Sequence, residues 1–378
     1  MPKRQLSSGM FSECSRGRNL KFSKRADVSA QFNWIFILII GAIILTFFIT
    51  IVSKQKTQAE EQISLNVVMA FKTILQSSIV KERVTQMILL PKYDMEFYCD
   101  IDTCTDQGCN SGYRVKGSSI DISSDFMAIF SPEYIHGKKM ITYSFDWNLP
   151  YRVENILILT TDNYRYVLIN DSDQRKSALF LTVKPDNLTM DVVKESALSS
   201  IRDENHYNVR YIFFNKQTMS PANMIQPDPG KVNVSAVNVV FDSANFGHID
   251  YYRLDQGSLS KTGTVNFFDN ATMLAGIFSE NQVYYNCNMI KAFNRAQRLS
   301  LIYAKKLSNL EEKYYNETEG CGFVFYKKDP AQKIYDLSRA IIVKKSINQT
   351  DSQKLYESMQ KLAEINKKAR DMSCPVIY

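Results

Sequence analysis

The sequence predicts a mixed α/β chain: an N-terminal transmembrane helix continuing into an amphipathic stalk, a mixed β-sheet ectodomain with helices, and a C-terminal helical hairpin or bundle. Three observations predict it. A run of 20 uncharged, mostly apolar residues lies near the start, short strand-like runs punctuated by turn residues fill the middle, and apolar residues recur at helical spacing through the last hundred positions. A chain of 378 residues can bury a sizeable core, and 45% hydrophobic with 22% charged residues is globular composition. Only 14 Gly and 10 Pro exclude collagen-like and Pro/Gly-rich disordered classes, so most of the chain is expected to fold.

Residues 1–33 read as a basic cytoplasmic tail, in which Lys3, Arg4, Arg16, Arg18, Lys21, Lys24 and Arg25 against Glu13 and Asp27 place +5 of the formal +7. The remainder carries only +2, too small an excess to track phosphates, so nucleic acid is excluded as a partner. Residues 34–53, Trp34 to Ser53, hold no charge and match the roughly 20 helical residues that cross a bilayer core. The run lacks the polar face of a core helix and exceeds the length of a secretory h-region. Trp34 at one end and Lys54 and Lys56 at the other suit the two interfaces. The lipid bilayer is therefore an expected partner: a single-pass protein of the cell membrane, N-terminus cytoplasmic, its bulk outside.

Two tallies accompany that topology. Cys14 precedes the span, at the distance of an ordinary reduced thiol rather than an acylation site, whereas Cys99, Cys104, Cys109, Cys287, Cys321 and Cys374 follow it. Six thiols in an oxidising compartment suit three disulfides, in any of 15 connectivities. Cys99-x4-Cys104-x4-Cys109 is a weaker metal pattern, because zinc sites use tighter pairs and the three His do not complete it, so no metal or cofactor is assigned. Asn-x-Ser/Thr acceptors occur at Asn170, Asn187, Asn233, Asn270, Asn316 and Asn348, all beyond the span, and mark glycosylation candidates.

Residues 54–82 carry a helical stripe of Ala59, Ile63, Val67, Ala70 and Ile74, widened by Phe71 and Leu75, and no Gly or Pro interrupts Ile43 to Leu90. Its apolar face needs a partner, and the protein's own domain is the simplest. Residues 83–150 read as a strand-rich Cys-containing segment with strands at Val84–Leu90, Met95–Cys99, Ile120–Ile122 and Met140–Phe145. Residues 151–280 read as mixed α/β: a hairpin of 155–159 with 164–169 around Asp162-Asn163, a strand at Leu179–Val183, a helix near Met190–Arg202, then strands at 209–214, 234–241, 248–254 and 263–268.

Residues 281–378 form the helical segment. Met289, Phe293, Ala296, Ser300, Tyr303, Leu307, Leu310 and Tyr314 alternate steps of 4 and 3, a heptad seam interrupted only at Ser300. Asp329-Pro330 opens a second helix towards Lys345, and Leu355, Met359, Leu362, Ile365 and Met372 line a third with Asp351 as its expected cap. A helix from Cys287 to Tyr314 is about 40 Å long, and the chain from Tyr314 to Cys321 reaches back only about 25 Å. Cys374 is therefore the preferred partner of Cys287 or Cys321.

The run Phe32-Asn33-Trp34-Ile35-Phe36-Ile37-Leu38-Ile39-Ile40-Gly41-Ala42, with Lys54-Gln55-Lys56 and the closing Ser373-Cys374-Pro375, resembles a group of archaeal single-span membrane proteins of unassigned function. The likeness lies at the termini and implies an archaeal cell-surface setting without a catalytic residue. Arg25-Ala26-Asp27-Val28 resembles a type IV prepilin processing site, basic then small then the new first residue, ahead of a long hydrophobic helix. Gln31 stands where many such pilins have Glu, and polar residues delay the hydrophobic run, so cleavage after Ala26 is the alternative to an uncleaved anchor.

No Gly-x-Ser-x-Gly elbow, Walker loop, HExxH pair or dinucleotide fingerprint occurs. His136, or His248 beside Asp250, offers an acid–base candidate, but structural histidines are the commoner outcome. The acidic stretches Asp121–Asp125 and Asp100–Asp106 lack the spacing of a calcium loop and read as solvated turns. The functional reading is a membrane-anchored extracytoplasmic protein with a structural, assembly or binding role, its partner an envelope protein or a second copy. An anchored hydrolase with a non-contiguous site is the alternative.

Overall fold

The computed structural model of the chain describes residues 24–80, 84–90, 93–124, 127–170, 173–186, 188–200, 206–217, 233–255, 258–316, 320–326 and 330–378. The sequence readings at residues 1–23, Cys14 included, and at Asn187, Asp329 and 201–202 lie outside them. The chain divides into a unit up to Glu60 and a second from Glu61 to Tyr378.

The described part of the first unit is helical, within α1 (Lys24–Val80), and the backbone of 25–27 belongs to it. Trp34–Ser78 contains the stretch long and apolar enough to cross a membrane, and none of that stretch is buried. Inside it Thr46 and Thr50 return their hydroxyls to the carbonyls of Ala42 and Thr46, both at 2.7 Å, so these polar groups are satisfied within the helix.

In the second unit the last turns of α1 bury Ser64, Val68, Phe71, Leu75 and Ser78, a seam of alternating steps of 4 and 3. This corrects the Ala59-Ile63-Val67-Ala70-Ile74 stripe, of which Ile63 is exposed and Val67 and Ile74 only half-buried. Aromatic packing sets the rotation. The Phe71 ring meets Phe97 at 5.9 Å and Tyr113 at 5.4 Å, and the small Ser78 lets the helix close on Gln86 and Thr142.

Three sheets follow. β1 (Thr85–Leu89), β7 (Lys139–Asn148), β8 (Arg152–Thr161) and β5 (Ile129–Phe130) form one in that order, and β4 (Asp121–Ser123), β3 (Gly108–Val115), β2 (Met95–Thr105) and β6 (Tyr134–Ile135) form a second, wholly antiparallel. The third, of six strands, runs β10 (Asp191–Val193), β9 (Tyr164–Ile169), β11 (Asn208–Phe214), β12 (Asn233–Phe241), β13 (Gly247–Asp255), β14 (Ser258–Phe267). Its first four strands are parallel, β13 runs against them, and β14 pairs antiparallel with β13.

Three middle readings are corrected. β8 and β9 are not a hairpin: β7 and β5 occupy both edges of β8, so β9 starts the six-stranded sheet instead. Asp162 ties the crossing down by accepting from the backbone N–H of Lys138 and Lys139, both at 3.1 Å. Leu179–Val183 is helical, the end of α2 (Gln174–Val183), because Asp173 caps its start at Lys176 and a 3-step places Ser177 and Phe180 inside. The expected helix at 190–202 is the edge strand β10 plus a short 3₁₀ turn, Glu195–Ser200. Parallel pairing to β9 and the 2.7 Å contact of Arg165 with Asp191 favour the strand.

The C-terminal helices are α3 (Asn270–Phe278), α4 (Gln282–Lys313), α5 (Cys321–Phe325), α6 (Pro330–Lys344) and α7 (Gln349–Asp371). The expected cap of α7 is corrected: Asn348, itself a glycosylation candidate, accepts from Asp351 N at 2.7 Å, and Asp351 sits in the first turn. Met289, Phe293, Ala296, Leu307, Ile334, Ile341, Leu355 and Leu362 share one core with Ile156 and Ile158 of β8 and Tyr166 and Leu168 of β9. Three disulfides, Cys99–Cys287, Cys104–Cys109 and Cys321–Cys374, link sheet to helix, close one hairpin, and fasten the chain end to α5.

Candidate functional site

β11 is buried on both faces, and its alternation decides where its one charge goes. Val209, Tyr211 and Phe213 share a cluster with Val234 and Ala236, while Ile212 and Phe214 face the core that holds α3. Arg210 lies on that second face and is 1% exposed. Its guanidinium donates to the carbonyls of Ile277 (2.9 Å), Ser279 (2.5 Å) and Glu280 (2.9 Å), and through Nε to Ser235 Oγ (3.1 Å). These are the open carbonyls at the end of α3, where the helix dipole is negative, so a cation there replaces the missing helical donors. The Tyr164 ring lies 5.6 Å from the guanidinium carbon and adds a cation–π contact.

Above this anchor the amino ends of β11 and β12, the β13–β14 pair and the start of α4 enclose a cavity of about 430 Å³. Its wall mixes polar and apolar surface in nearly equal parts: Glu133, Asn208, Asn233, Ser235, Arg253, Thr262, Glu280, Asn281 and Gln282 alternate with Tyr134, Tyr207, Tyr251, Tyr252, Val234, Ala236 and Val283. The β13–β14 register slips between Tyr251 and Tyr252, leaving Thr262 as the extra residue of a bulge that faces the cavity. Gly263 follows it, and a side chain there would meet Gln282 Oε1 at 2.4 Å, so the glycine is what lets the first turn of α4 approach. Gln282 Oε1 accepts from Thr264 N at 3.2 Å and Asn281 Oδ1 from Tyr284 N at 3.0 Å, which fixes both amides.

Two groups are left over. Asn208 is 5% exposed and its Oδ1 has no donor among the described residues. The Glu280 carboxylate likewise has no hydrogen-bond or ion-pair partner there, although the charge of Arg210 acts on it. Burial pushes the phenols of Tyr207 and Tyr251 well above their usual range, so they serve as hydrogen-bonding groups, Tyr251 to Gly276 O at 2.7 Å and Tyr207 to Tyr134 O.

The sequence candidates fall elsewhere. His136 pairs with Asp94, His248 with Asp242 at 3.4 Å, and Asp250 with Lys261 and Thr264, both at 2.7 Å, so His248 and Asp250 have separate partners. None of them lines the cavity. Asp121 accepts from Tyr98 and Asp100 from Asp102 N at 3.0 Å, and both lie in strands, β4 and β2, which corrects the reading of these stretches as solvated turns. The described His, Cys, Asp and Glu groups near enough to share an ion are Cys104, Cys109 and Cys287, and all three are disulfide-bonded. Asn233, Asn270, Asn316 and Asn348 are exposed and Asn170 is half-buried. Asn233 alone of the described acceptors also lines the cavity. Arg210 was visible in the sequence as a lone charge inside the apolar run Val209–Phe214, a signal of a buried, bonded cation.

A second buried charge lies at the β8–α4 contact. The Glu154 side chain is 4% exposed, 3.9 Å from Arg295, and Lys291 beside it is held by Ser111 Oγ at 3.1 Å and Ser124 O at 3.3 Å. Burial pushes the Glu154 carboxyl up to about 7, with Arg295 and Lys291 pulling partly the other way. The folded chain then holds a proton that the unfolded chain, titrating near 4.5, has lost. Stability is therefore expected to be highest below pH about 4.5 from this group, and to fall by roughly 3 kcal/mol as pH rises to about 7. Glu154→Gln should flatten that window and be the more stable protein at pH 8, read by denaturant unfolding at both ends of it.

Comparison with known proteins finds no matching family model, no matching curated protein and no matching solved structure.

Proposed function

We propose that the chain is a single-pass membrane-anchored protein with residues 54–378 on the extracytoplasmic side, and that its work there is binding. One observation carries the anchor: fifteen large apolar side chains between Trp34 and Val52 are exposed on α1. Left in water they would cost on the order of 30 kcal/mol, and a bilayer core removes that cost. The +5 tail supports a cytoplasmic N-terminus, and the three disulfides beyond the span support an oxidising compartment. Residues 54–82 serve as the stalk and α4 to α7 as the helical bundle of this arrangement. The binding reading rests on the cavity, in whose wall the oxygens of Asn281 and Gln282 are fixed by backbone N–H groups, so that both side-chain amides are held in place.

Intact mass of protein extracted from its native membrane tests this directly. The expected result is a chain retaining residues 1–26 that gains six hydrogens on reduction. After reduction, a membrane-impermeant maleimide applied to intact cells should reach cysteines beyond the span and leave Cys14 unlabelled. Labelling of Cys14 alone would reverse the topology. A chain starting at Asp27 would replace the static anchor by pilin-like assembly.

A further inference from the structure

We propose that Cys99, Cys104, Cys109 and Cys287 form a thiol–disulfide exchange relay. Reduction of either bond by an external dithiol ends in a Cys104–Cys287 bond, with Cys99 and Cys109 as free thiols. Two of the three disulfides lie against each other: Cys104 Sγ is 3.6 Å from Cys287 Sγ, van der Waals contact for two sulfurs. Cys104, Cys109 and Cys287 bring their sulfurs within 4.8 Å of one another, while neither cysteine of the third bond, Cys321–Cys374, belongs to that group. A thiolate released at Cys104 or at Cys287 therefore starts beside the other bond. Polar contacts hold that approach independently of the sulfurs. Asn294 donates to Thr105 O at 2.9 Å and Lys345 to Asp102 O at 2.6 Å, so α4 and the α6–α7 turn keep the Cys104–Cys109 hairpin in place.

Atoms and electrons balance along either route. A dithiol thiolate that attacks Cys99, the half-buried member, forms a mixed disulfide with it and expels Cys287 as thiolate. Cys287 then attacks Cys104, so that the Cys104–Cys287 bond forms, the Cys104–Cys109 bond breaks and Cys109 leaves as a thiolate that takes a proton. The second thiol of the reductant frees Cys99 as a thiol and closes its own disulfide, so two electrons have entered and one protein bond is gone. Where Cys104–Cys109 opens first, Cys104 attacks Cys287 and expels Cys99, and the product is the same. Chain entropy favours that product over plain loss of Cys99–Cys287. The new bond spans 183 residues in place of 188, which keeps the tie from β2 to α4 and gives up only the link of separation 5. Plain opening of Cys104–Cys109 would leave thiols at residues 5% and 4% exposed, whereas the relay leaves one at Cys99, which water reaches. Cys99 pairs across the ladder with Ser111, two residues from Cys109, and a diagonal of about 7–8 Å is too long for a bond between them, so both stay open.

The test uses the full chain, folded in detergent and treated stepwise with dithiothreitol. Samples are quenched with acid, alkylated with N-ethylmaleimide in denaturant and mapped by mass spectrometry of unreduced peptides. The expected first product carries label on Cys99 and Cys109 in addition to Cys14, a linked Cys104–Cys287 peptide and an intact Cys321–Cys374 bond. Label on Cys104 and Cys109 with Cys99–Cys287 intact, or on Cys99 and Cys287 with Cys104–Cys109 intact, overturns the relay. So does a first product opened at Cys321–Cys374. Cys109→Ser gives a second measurement that needs no reductant, because it leaves a thiol at Cys104 against Cys287. At least about a tenth of its molecules should carry the Cys104–Cys287 bond and take label at Cys99. Either pairing keeps a long cross-link in this variant, so only the link of separation 5 is lost and the fold remains. Label at Cys104 with none at Cys99 overturns the proposal.

Discussion

Replacing Cys99 and Cys287 together by alanine is expected to lower the unfolding free energy by about 5 kcal/mol, the largest loss from any single cross-link here. The bond joins β2 to α4 across a sequence separation of 188, so it removes more freedom from the unfolded chain than the other two. In the same chain-entropy account Cys321–Cys374, separation 53, contributes about 4 kcal/mol, and Cys104–Cys109, separation 5, about 2 kcal/mol. Denaturant unfolding of the three double variants in detergent measures the series. Equal losses for Cys99–Cys287 and Cys104–Cys109 would show that loop length is not what sets their contribution.

Arg210→Met is expected to cost about 3–5 kcal/mol, the range for removing one partner from a buried charged network. The substituted side chain fits the volume but leaves the carbonyls of Ile277, Ser279 and Glu280 without donors at the end of α3. Arg210→Lys keeps the charge yet cannot spread donors in a plane from Ser235 to three carbonyls, so it should recover less than half of the loss. Because α3 ends where Asn281 and Gln282 begin the cavity wall, both variants should also abolish ligand binding. Thermal midpoints of the two variants check the first expectation. Full stability in Arg210→Met would show that the carbonyls find water instead.

The elements with strong local period were legible. Val209–Phe214 became β11 and the strands at 234–241 and 248–254 became β12 and β13, each within a residue or two, and the seam Met289–Tyr314 lies in α4, which starts seven residues earlier at Gln282. Short apolar runs were not. Leu179–Val183 suits a strand or a buried helical turn equally well, and only the Asp173 cap and the contact of Phe180 with Phe214 settle it. β3 escaped notice because Gly108 and Gly112 break its pattern, although at Gly112 a side chain would collide with the Ile122 carbonyl at 2.4 Å. α3 escaped because eight of its nine residues are buried, which leaves no polar face to mark it.

The sequence by itself determined what depends on neighbours along the chain: an uncharged run of bilayer length, the charge excess before it, six cysteines after it, and the periods of the long helices. The tertiary structure alone decided what depends on neighbours in space. Which face of residues 61–80 is buried follows from where Phe97 and Tyr113 lie, and whether β8 pairs with β9 depends on β5 and β7 having taken its edges. The pairing of cysteines 188 residues apart is of the same kind. So is the cavity, whose wall is drawn from Glu133 to Val283 and has no contiguous signature. The physical reason is range: backbone geometry writes a period of two or 3.6 into the sequence, whereas a contact across a sheet or between sheet and helix leaves no local trace on either side of it.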